Sequence, residues 1–278
     1  MNALIDSHVH FWDRARFGYA WLDDVPEALS RPSFLPADAD PAARMVFVQA
    51  DCREDQGIAE AAWVQQLADA GAPIVGIVAH APLERDCVEQ LDALSRIPLV
   101  VGIRRLLQDE PPGFADSDAF IAGAAQVEPH GFVVDLCIRQ RQLDEVTDLV
   151  AARPEVQFVL DHLGKPVIDD GSFDAWAASI DRLAALPNVA CKVSGLLTEA
   201  PPSHRDANSL RPWILHALDA FGADRLMYGT DWPVLTLAGD TALWRSVVDA
   251  ALEEESDATR AAVFEGTARR VYRLEERG

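Results

Sequence analysis

The sequence predicts a single-domain α/β protein of the (β/α)8, or TIM, barrel class. Short apolar runs rich in β-branched residues alternate with longer amphipathic stretches along residues 1–278. About eight such strand–helix units fit into a chain of this length, which is the repeat number of this barrel. An open, doubly wound sheet is the alternative, but no glycine-rich dinucleotide-binding motif follows the first predicted strand.

Each predicted strand is short and is followed by a predicted helix. Strands are expected at Leu4–His8, Met45–Ala50, Ile74–Ala79, Leu99–Ile103, Phe132–Leu136, Gln157–Asp161, Val189–Val193 and Arg225–Gly229. Helices are expected at Ile58–Ala70, Arg85–Ser95, Ser117–Val127, Leu143–Ala152, Phe173–Leu186, Ser209–Phe221 and Thr241–Glu253, with closing helices in Asp257–Leu274. This alternation implies a parallel sheet. Because no linker or repeat interrupts it, we expect one domain over residues 1–278.

Composition limits the partners of this chain. Lys and Arg together number 24, Asp and Glu number 45, and the net charge is −21. Such an acidic surface argues against nucleic acid and anionic membranes as partners. The four cysteines are scattered, and the sequence shows neither a signal-peptide pattern nor a run of membrane-span length. We therefore expect a cytoplasmic protein that acts on a small molecule, while the sequence predicts no oligomeric state.

The first strand carries three polar side chains at alternate positions. Asp6, His8 and His10 are spaced two residues apart, and residues at this spacing face the same side of a strand. The pattern predicts two imidazoles and a carboxylate that point together at the end of the strand. A hydrogen-bonded polar pair with no chemical role is the alternative for the two histidines.

Other predicted strands end in residues capable of the same chemistry. His162 follows the sixth strand and Asp231 follows the eighth. The carboxyl ends of barrel strands meet at one mouth, so we expect His8, His10, His162 and Asp231 to converge there as catalytic candidates. The same ends carry His80, Arg104, Asp135 and Lys192.

The motifs at these strand ends resemble those of the amidohydrolase superfamily. Within it, the sequence is similar to the sugar-acid lactonases, a branch that includes L-fuconolactonase and L-rhamnonolactonase. The matching motifs are Asp6–Trp12, Val101–Arg104, Asp161–Pro166, Lys192–Leu196 and Tyr228–Pro233. The resemblance implies a carboxylic ester hydrolase that opens a sugar lactone. In that reaction Asp231 would act as general base on water, and the three histidines would polarise the carbonyl.

The resemblance also bears on a metal. Amidohydrolases with two metals use a Lys or Glu on strand four and a His on strand five, whereas this sequence offers Arg104 and Asp135. We therefore expect at most one divalent ion, and imidazole and carboxylate ligands suit zinc. Its ligands would be His8, His10, His162 and Asp231. Members of this branch are described with and without a required metal, so metal-independent catalysis stays open.

Further residues are candidate substrate contacts. These are Arg104, Trp21, Trp232 and Asp135. Arg104 would donate to ring or hydroxyl oxygens, or instead pair with a carboxylate such as Asp135. The tryptophans would stack on an apolar sugar face with their N–H groups reaching hydroxyls, or pack a loop. Lys192 is expected to pair with Asp6.

Charge favours a neutral polyhydroxy lactone as the substrate. Anionic lactones of the pyrone dicarboxylate or muconolactone type would need several arginines at the mouth, and none adjoins Ser194–Leu196. Arg104 and Arg105 keep this alternative open. Two other functions stay open. A metal-dependent decarboxylase shares the histidines of strand one but normally uses a strand-five His, which is absent here. A non-catalytic ligand-binding barrel is disfavoured by the complete set of histidines and Asp231.

Overall fold

The computed structural model describes residues 4–169 and 171–274. Its main sheet contains eight parallel strands in chain order. They are Leu4–Val9 (β1), Ala43–Val48 (β2), Ile74–Ala79 (β3), Val100–Arg104 (β4), Val133–Leu136 (β5), Phe158–Leu160 (β6), Val189–Val193 (β7) and Leu226–Tyr228 (β8). A bridge between Val9 and Trp232 brings the last strand back to the first. This closure confirms the predicted (β/α)8 barrel.

Helices connect the strands on the outside of the barrel. They are Gly57–Asp69 (α1), Val88–Leu94 (α2), Asp118–Ala125 (α3), Leu143–Ala152 (α4), Phe173–Ala184 (α5), Leu196–Glu199 (α6), Ala207–Phe221 (α7), Thr241–Ala251 (α8), Asp257–Ala261 (α9) and Thr267–Val271 (α10). The short α6 lies partly in a segment predicted as a loop, and it begins after Gly195, whose φ is 70°. None of the helices in the described residues is both long and apolar enough to span a membrane.

The apolar core has two parts. Alternate strand residues pack outward against the helices, and one inward-facing set forms a separate cluster inside the barrel. The inner cluster contains Ile5, Val46, Val48, Val78, Val133, Val159, Ala190 and Met227. Tyr272 and Leu274 belong to the same cluster, so the C-terminal segment closes the barrel floor. The opposite, carboxyl end of the strands is left for the site.

The long loop after β1 packs mainly on itself. It contains a two-stranded antiparallel ribbon of Trp12–Asp13 and Ser33–Phe34. The Phe34 ring lies 4.8 Å from the Trp12 ring and 5.6 Å from the Trp232 ring, measured between centroids. Trp232 is therefore largely buried among aromatic neighbours.

Candidate active site

The four catalytic candidates lie together at the carboxyl ends of the strands. His8 lies near the end of β1, His10 directly follows β1, His162 follows β6, and Asp231 follows β8. The Nε2 atoms of His8 and His10 are 3.2 Å apart. Asp231 Oδ1 lies 3.2 Å from His10 Nε2, 3.7 Å from His8 Nε2 and 3.9 Å from His162 Nε2. Elements far apart in sequence thus place three imidazoles around one carboxylate.

Backbone geometry fixes the directions of these side chains. Asp231 and His162 have φ values of 62° and 55°, in the left-handed region that side chains other than glycine rarely adopt. The Asp231 N–H donates to the carbonyl oxygen of His8 at 2.9 Å. His162 Nδ1 lies 2.8 Å from the Ser194 hydroxyl. Strained backbone held in this way by neighbouring strands is typical of functional sites.

Asp6 does not join the site. The register pairs Asp6 with Met45 and Val9 with Phe47, so that two residues of β1, Ser7 and His8, lie opposite one residue of β2. Such a bulge turns Asp6 away from the side that His8 faces. Its carboxylate accepts hydrogen bonds from the Thr230 N–H at 2.9 Å and the Thr230 hydroxyl at 2.6 Å. The expectation that three alternate side chains of β1 point together is therefore wrong for Asp6.

Lys192 pairs with carboxylates that differ from the expected one. Its Nζ lies 2.5 Å from Asp135 Oδ2, 2.9 Å from Asp161 Oδ1 and 3.1 Å from His8 Nδ1. The prediction of a Lys192–Asp6 pair is wrong, because the bulge directs Asp6 towards Thr230 instead. All of these Lys192 contacts are fully buried.

Arg104 also belongs to this buried charge network. Its Nη1 lies 3.3 Å from both Asp161 Oδ2 and His8 Nε2, and its Nη2 donates to the Gln49 carbonyl oxygen at 2.6 Å. Arg104 therefore forms a salt bridge, as the predicted alternative stated, but its partner is Asp161 and not Asp135. Arg104 still lines the cavity described below, and its buried Nε has no hydrogen-bond partner among the described residues.

The protonation states follow from burial and neighbours. Burial lowers the pKa of His8 well below its usual value and lowers the pKa of His162 to about 4, so both are neutral at pH 7. Burial alone would raise the pKa of Asp231, but the neighbouring His162, His10 and His8 together hold that pKa below its usual range. Two neutral imidazoles, those of His8 and His162, therefore lie beside an ionised carboxylate.

A cavity of about 160 Å³ opens above these residues. Its lining includes His10, His162, Asp231 and Arg104. Several other lining residues had no predicted role. They include Asp51, Leu106, Gln108 and Lys165. Asp51 and Lys165 lie just beyond the predicted second and sixth strands, so their positions at strand ends could have indicated that they belong to the site.

The candidate substrate contacts divide into two groups. Trp21 lines the cavity, but its indole N–H donates to the Ala50 carbonyl oxygen at 2.8 Å. Trp21 therefore presents its ring to the cavity, and its N–H does not reach a substrate hydroxyl.

Trp232 is buried among aromatic rings and lies outside the cavity lining. Asp135 is also outside the lining, because both of its oxygens bond the Tyr272 hydroxyl and one contacts Lys192. We therefore do not propose Trp232 or Asp135 as substrate contacts.

Comparison with known proteins assigns the family. Residues 5–274 match the sequence model of the amidohydrolase family. The chain belongs to the amidohydrolase family. This amidohydrolase is 36% identical to an L-fucono-1,5-lactonase of Burkholderia multivorans, over 99% of this chain and 98% of that protein. It is 32% identical to an L-fucono-1,5-lactonase of Burkholderia ambifaria, over 99% of this chain and 97% of that protein.

A solved structure shares the same barrel. An amidohydrolase of Burkholderia multivorans, crystallised with bound zinc, has a TM-score of 0.87 and 34% sequence identity to this chain. The match covers 98% of this chain and 100% of that one.

The donor atoms of this amidohydrolase fit one divalent ion. His8 Nε2, His10 Nε2 and Asp231 Oδ1 lie 3.2 to 3.7 Å apart, near the edge of about 3.3 Å expected for a tetrahedron with bonds of about 2.0–2.1 Å. His10 Nδ1 contacts the Val48 carbonyl oxygen at 2.8 Å, so a neutral His10 presents a lone pair at Nε2. Lone-pair atoms this close need a proton or a cation among them.

The fourth expected ligand, His162, belongs to a second group. This group combines His162 with His8 and Asp161. Lys192 and Arg104 already neutralise Asp161, so the chain itself supplies the positive charge that a second metal ion would bring there. A single ion is therefore the arrangement that the charges accommodate.

Proposed function

We propose that this amidohydrolase opens the ring of a neutral sugar-acid lactone, such as an L-fucono-1,5-lactone-like aldonolactone, by attack of water on the ester carbonyl. The observation that carries the proposal is Asp231, a buried, ionised carboxylate within 3.9 Å of an imidazole nitrogen from each of three histidines at a cavity. The names of its full-length relatives supply the substrate class.

Asp231 is the proposed base. Its carboxylate accepts a proton from water as the water oxygen attacks the lactone carbonyl. The same carboxyl then returns this proton to the ring oxygen that leaves as a hydroxyl. Because its pKa lies below the usual range, Asp231 by itself is a weak base, and the attacking water needs additional activation.

We propose one zinc-like divalent ion, held by His8, His10 and Asp231. Such an ion, when bound, supplies a lowered pKa for the attacking water and polarises the carbonyl. The proximity of the Arg104 guanidinium to His8 Nε2 competes with this ligation, because one lone pair cannot serve both.

Arg104 and His162 are the proposed donors to the carbonyl oxygen. Arg104 is permanently charged and lines the cavity. When the Ser194 hydroxyl donates to His162 Nδ1, a neutral His162 carries its proton on Nε2 and donates from there. His10 does not donate while neutral, because its proton lies on Nδ1 towards Val48. We therefore propose His10 as a metal ligand and not as a hydrogen-bond donor to the substrate.

The alternatives fit the cavity less well. A pyrone dicarboxylate or muconolactone would bring carboxylates close to Asp51 and Asp231, and among the described lining residues Arg104 is the one arginine, where such a substrate needs several. The unpaired cysteines agree with the predicted cytoplasmic location. We propose a role in carbohydrate catabolism, as the chemistry of aldonolactone opening implies.

Asp231→Asn tests the proposal directly. Lactone opening releases acid, so a pH-indicator assay over aldonolactones, with and without chelator, reports turnover above spontaneous hydrolysis. We expect the wild type to open L-fucono-1,5-lactone and Asp231→Asn to lose at least about 1,000-fold in kcat, because the proton acceptor is gone.

The matched control is Asp109→Asn. The side chain of Asp109 is 72% exposed and paired with Arg139, so this variant keeps wild-type turnover. Wild-type protein that fails to accelerate any aldonolactone would overturn the function, and near wild-type kcat in a folded Asp231→Asn variant would overturn the role of Asp231.

A further inference from the structure

Three polar side chains line the cavity but have no part in the proposed chemistry. Asp51 follows β2, Gln108 follows β4 and Lys165 follows β6, and all three share the cavity with Asp231 and His162. Each comes from a different strand-to-helix loop, and such loops set specificity in barrel enzymes. This set of residues therefore needs a separate explanation.

Lys165 has donors to spare. Its Nζ donates to Gln108 Oε1 at 2.5 Å, which links two loops. Among residues 4–169 and 171–274, Nζ makes this one hydrogen bond, whereas an ammonium group has three N–H donors. The αL backbone of Lys165, with φ 49°, fixes the direction of its stem. Two N–H groups are thus available to a ligand in the cavity.

Asp51 has acceptors to spare. Its φ is 58°, and its N–H donates to Gln49 Oε1 at 2.6 Å, so the backbone at this residue is held in place. In the part of the chain that the structure describes, its carboxylate oxygens accept no hydrogen bond and form no ion pair. Two acceptor oxygens therefore remain at the mouth of the cavity.

This combination of donors and acceptors suits hydroxyl groups. A hydroxyl donates one hydrogen bond and accepts up to two, so neighbouring hydroxyls can donate to both oxygens of one carboxylate and accept from an ammonium group. A substrate carboxylate would instead be repelled by Asp51. Trp21 adds a flat apolar ring to the same cavity, a surface on which sugar rings pack.

We propose that Asp51 and Lys165 bind the ring hydroxyls of the lactone and thereby make polyhydroxylated lactones the preferred substrates. The proposal rests on the lactonase function proposed above and assigns the residues that select among lactones. Asp51 accepts hydrogen bonds from two neighbouring hydroxyls, and Lys165 donates to one of the hydroxyl oxygens. Neither residue takes part in proton transfer.

The test compares two lactones of the same ring size. L-fucono-1,5-lactone carries hydroxyls, and δ-valerolactone does not. We expect the ratio of their kcat/KM values to fall about 10- to 100-fold in Asp51→Asn and in Lys165→Met, because each variant loses a hydrogen bond to a charged group. The loss should appear mainly as a higher KM for the sugar lactone.

Asp109→Asn again serves as the matched control. It removes a charged carboxyl on an exposed side chain outside the cavity lining, so both kcat/KM values should stay at the wild-type level. Thermal unfolding of each variant checks the fold, and Lys165→Met tests the subsite independently if Asp51→Asn fails to fold.

The outcomes separate this inference from the proposed function. A ratio within threefold of wild type in both variants, or an equal loss on both lactones, would overturn the hydroxyl subsite while leaving the lactonase function intact. Wild-type protein that opens neither lactone would overturn the function and the subsite together.

Discussion

His8 depends on buried charges for its position. Lys192 and Arg104 supply two positive charges, and Asp135 and Asp161 supply two negative charges, all within the barrel. Buried charges are costly to desolvate but become tolerable when every one is paired. The network as a whole is neutral, so removing any one member leaves an unpaired charge in the interior.

Lys192→Met should destabilise the protein strongly. The substitution keeps the apolar stem but leaves Asp135 and Asp161 without their shared partner, which costs about 3–5 kcal/mol for a buried pair. Urea denaturation measures the loss. The control is Arg182→Met, whose exposed pair with Asp144 contributes less than about 1 kcal/mol. Equal, small losses in the two variants would show that the network does not stabilise the fold.

Gly195 allows His162 to occupy the site. Its φ is 70°, and a Cβ added there would lie 2.8 Å from Cγ and Nδ1 of the His162 ring. Gly195→Ala should therefore lower kcat at least about tenfold by displacing His162, in addition to a strain cost of about 1–2 kcal/mol.

Gly131→Ala controls for that strain. Gly131 has a similar φ of 69°, but its added Cβ would meet only the flexible end of Arg273. This variant should lose stability while keeping wild-type kcat, as an assay on the same lactone will show. Equal kcat losses in the two variants would contradict the contact with His162.

The bulge in β1 is the element that organises the site. Two residues of β1 opposite one of β2 rotate the strand, so that His8 and His10 face Asp231 while Asp6 faces Thr230. Bulges often redirect side chains beside active sites. A regular strand would have placed Asp6 on the same side as the two histidines.

The contact between α3 and the loop after β3 has room only for glycine. A Cβ at Gly123 would lie 1.7 Å from the Leu83 carbonyl oxygen. Gly123→Ala should therefore cost more than about 3 kcal/mol, even though alanine favours helix by about 1 kcal/mol.

Chemical denaturation provides the measurement for Gly123→Ala. Ala122→Gly, at an exposed neighbour in the same helix, changes helix propensity alone and should cost about 1 kcal/mol. A stabilised Gly123→Ala variant would show that the helix can shift away from the loop.

At the scale of the whole molecule, the site coincides with the seam that closes the barrel. The N–H of His10 donates to the Trp232 carbonyl oxygen at 2.7 Å, and the N–H of Asp231 donates to the His8 carbonyl oxygen at 2.9 Å. The residues that hold the first and last strands together are thus those that carry the proposed chemistry. A metal ion bound by His8, His10 and Asp231 is therefore expected to affect both the stability of the fold and catalysis.

Zinc should stabilise the folded protein, because its proposed ligands come together only on folding. At a free concentration of 100 times Kd, binding adds about 2.7 kcal/mol, which raises Tm by about 5 °C for a chain of this size. Scanning calorimetry with zinc and with chelator measures the shift. His10→Ala should abolish it, and an unchanged wild-type Tm would contradict the metal site.

The sequence by itself determined the architecture and the main residues of the site. The eight strand–helix units were predicted within a few residues because apolar periodicity is a local property. His8, His10, His162 and Asp231 were expected together because carboxyl ends of parallel strands meet at one face. Their catalytic and metal-binding roles stay predictions.

Only the tertiary structure decided which side chains pair across the barrel. The partners of Lys192 and Arg104, the burial of Trp232 and the place of Asp51 in the cavity depend on strand register and loop path. A single bulge reverses the direction of a side chain, and nothing in the local pattern around Asp6 marks one. Through-space pairing of charges is thus determined by the fold, because residues far apart in the chain must first be brought within a few ångströms.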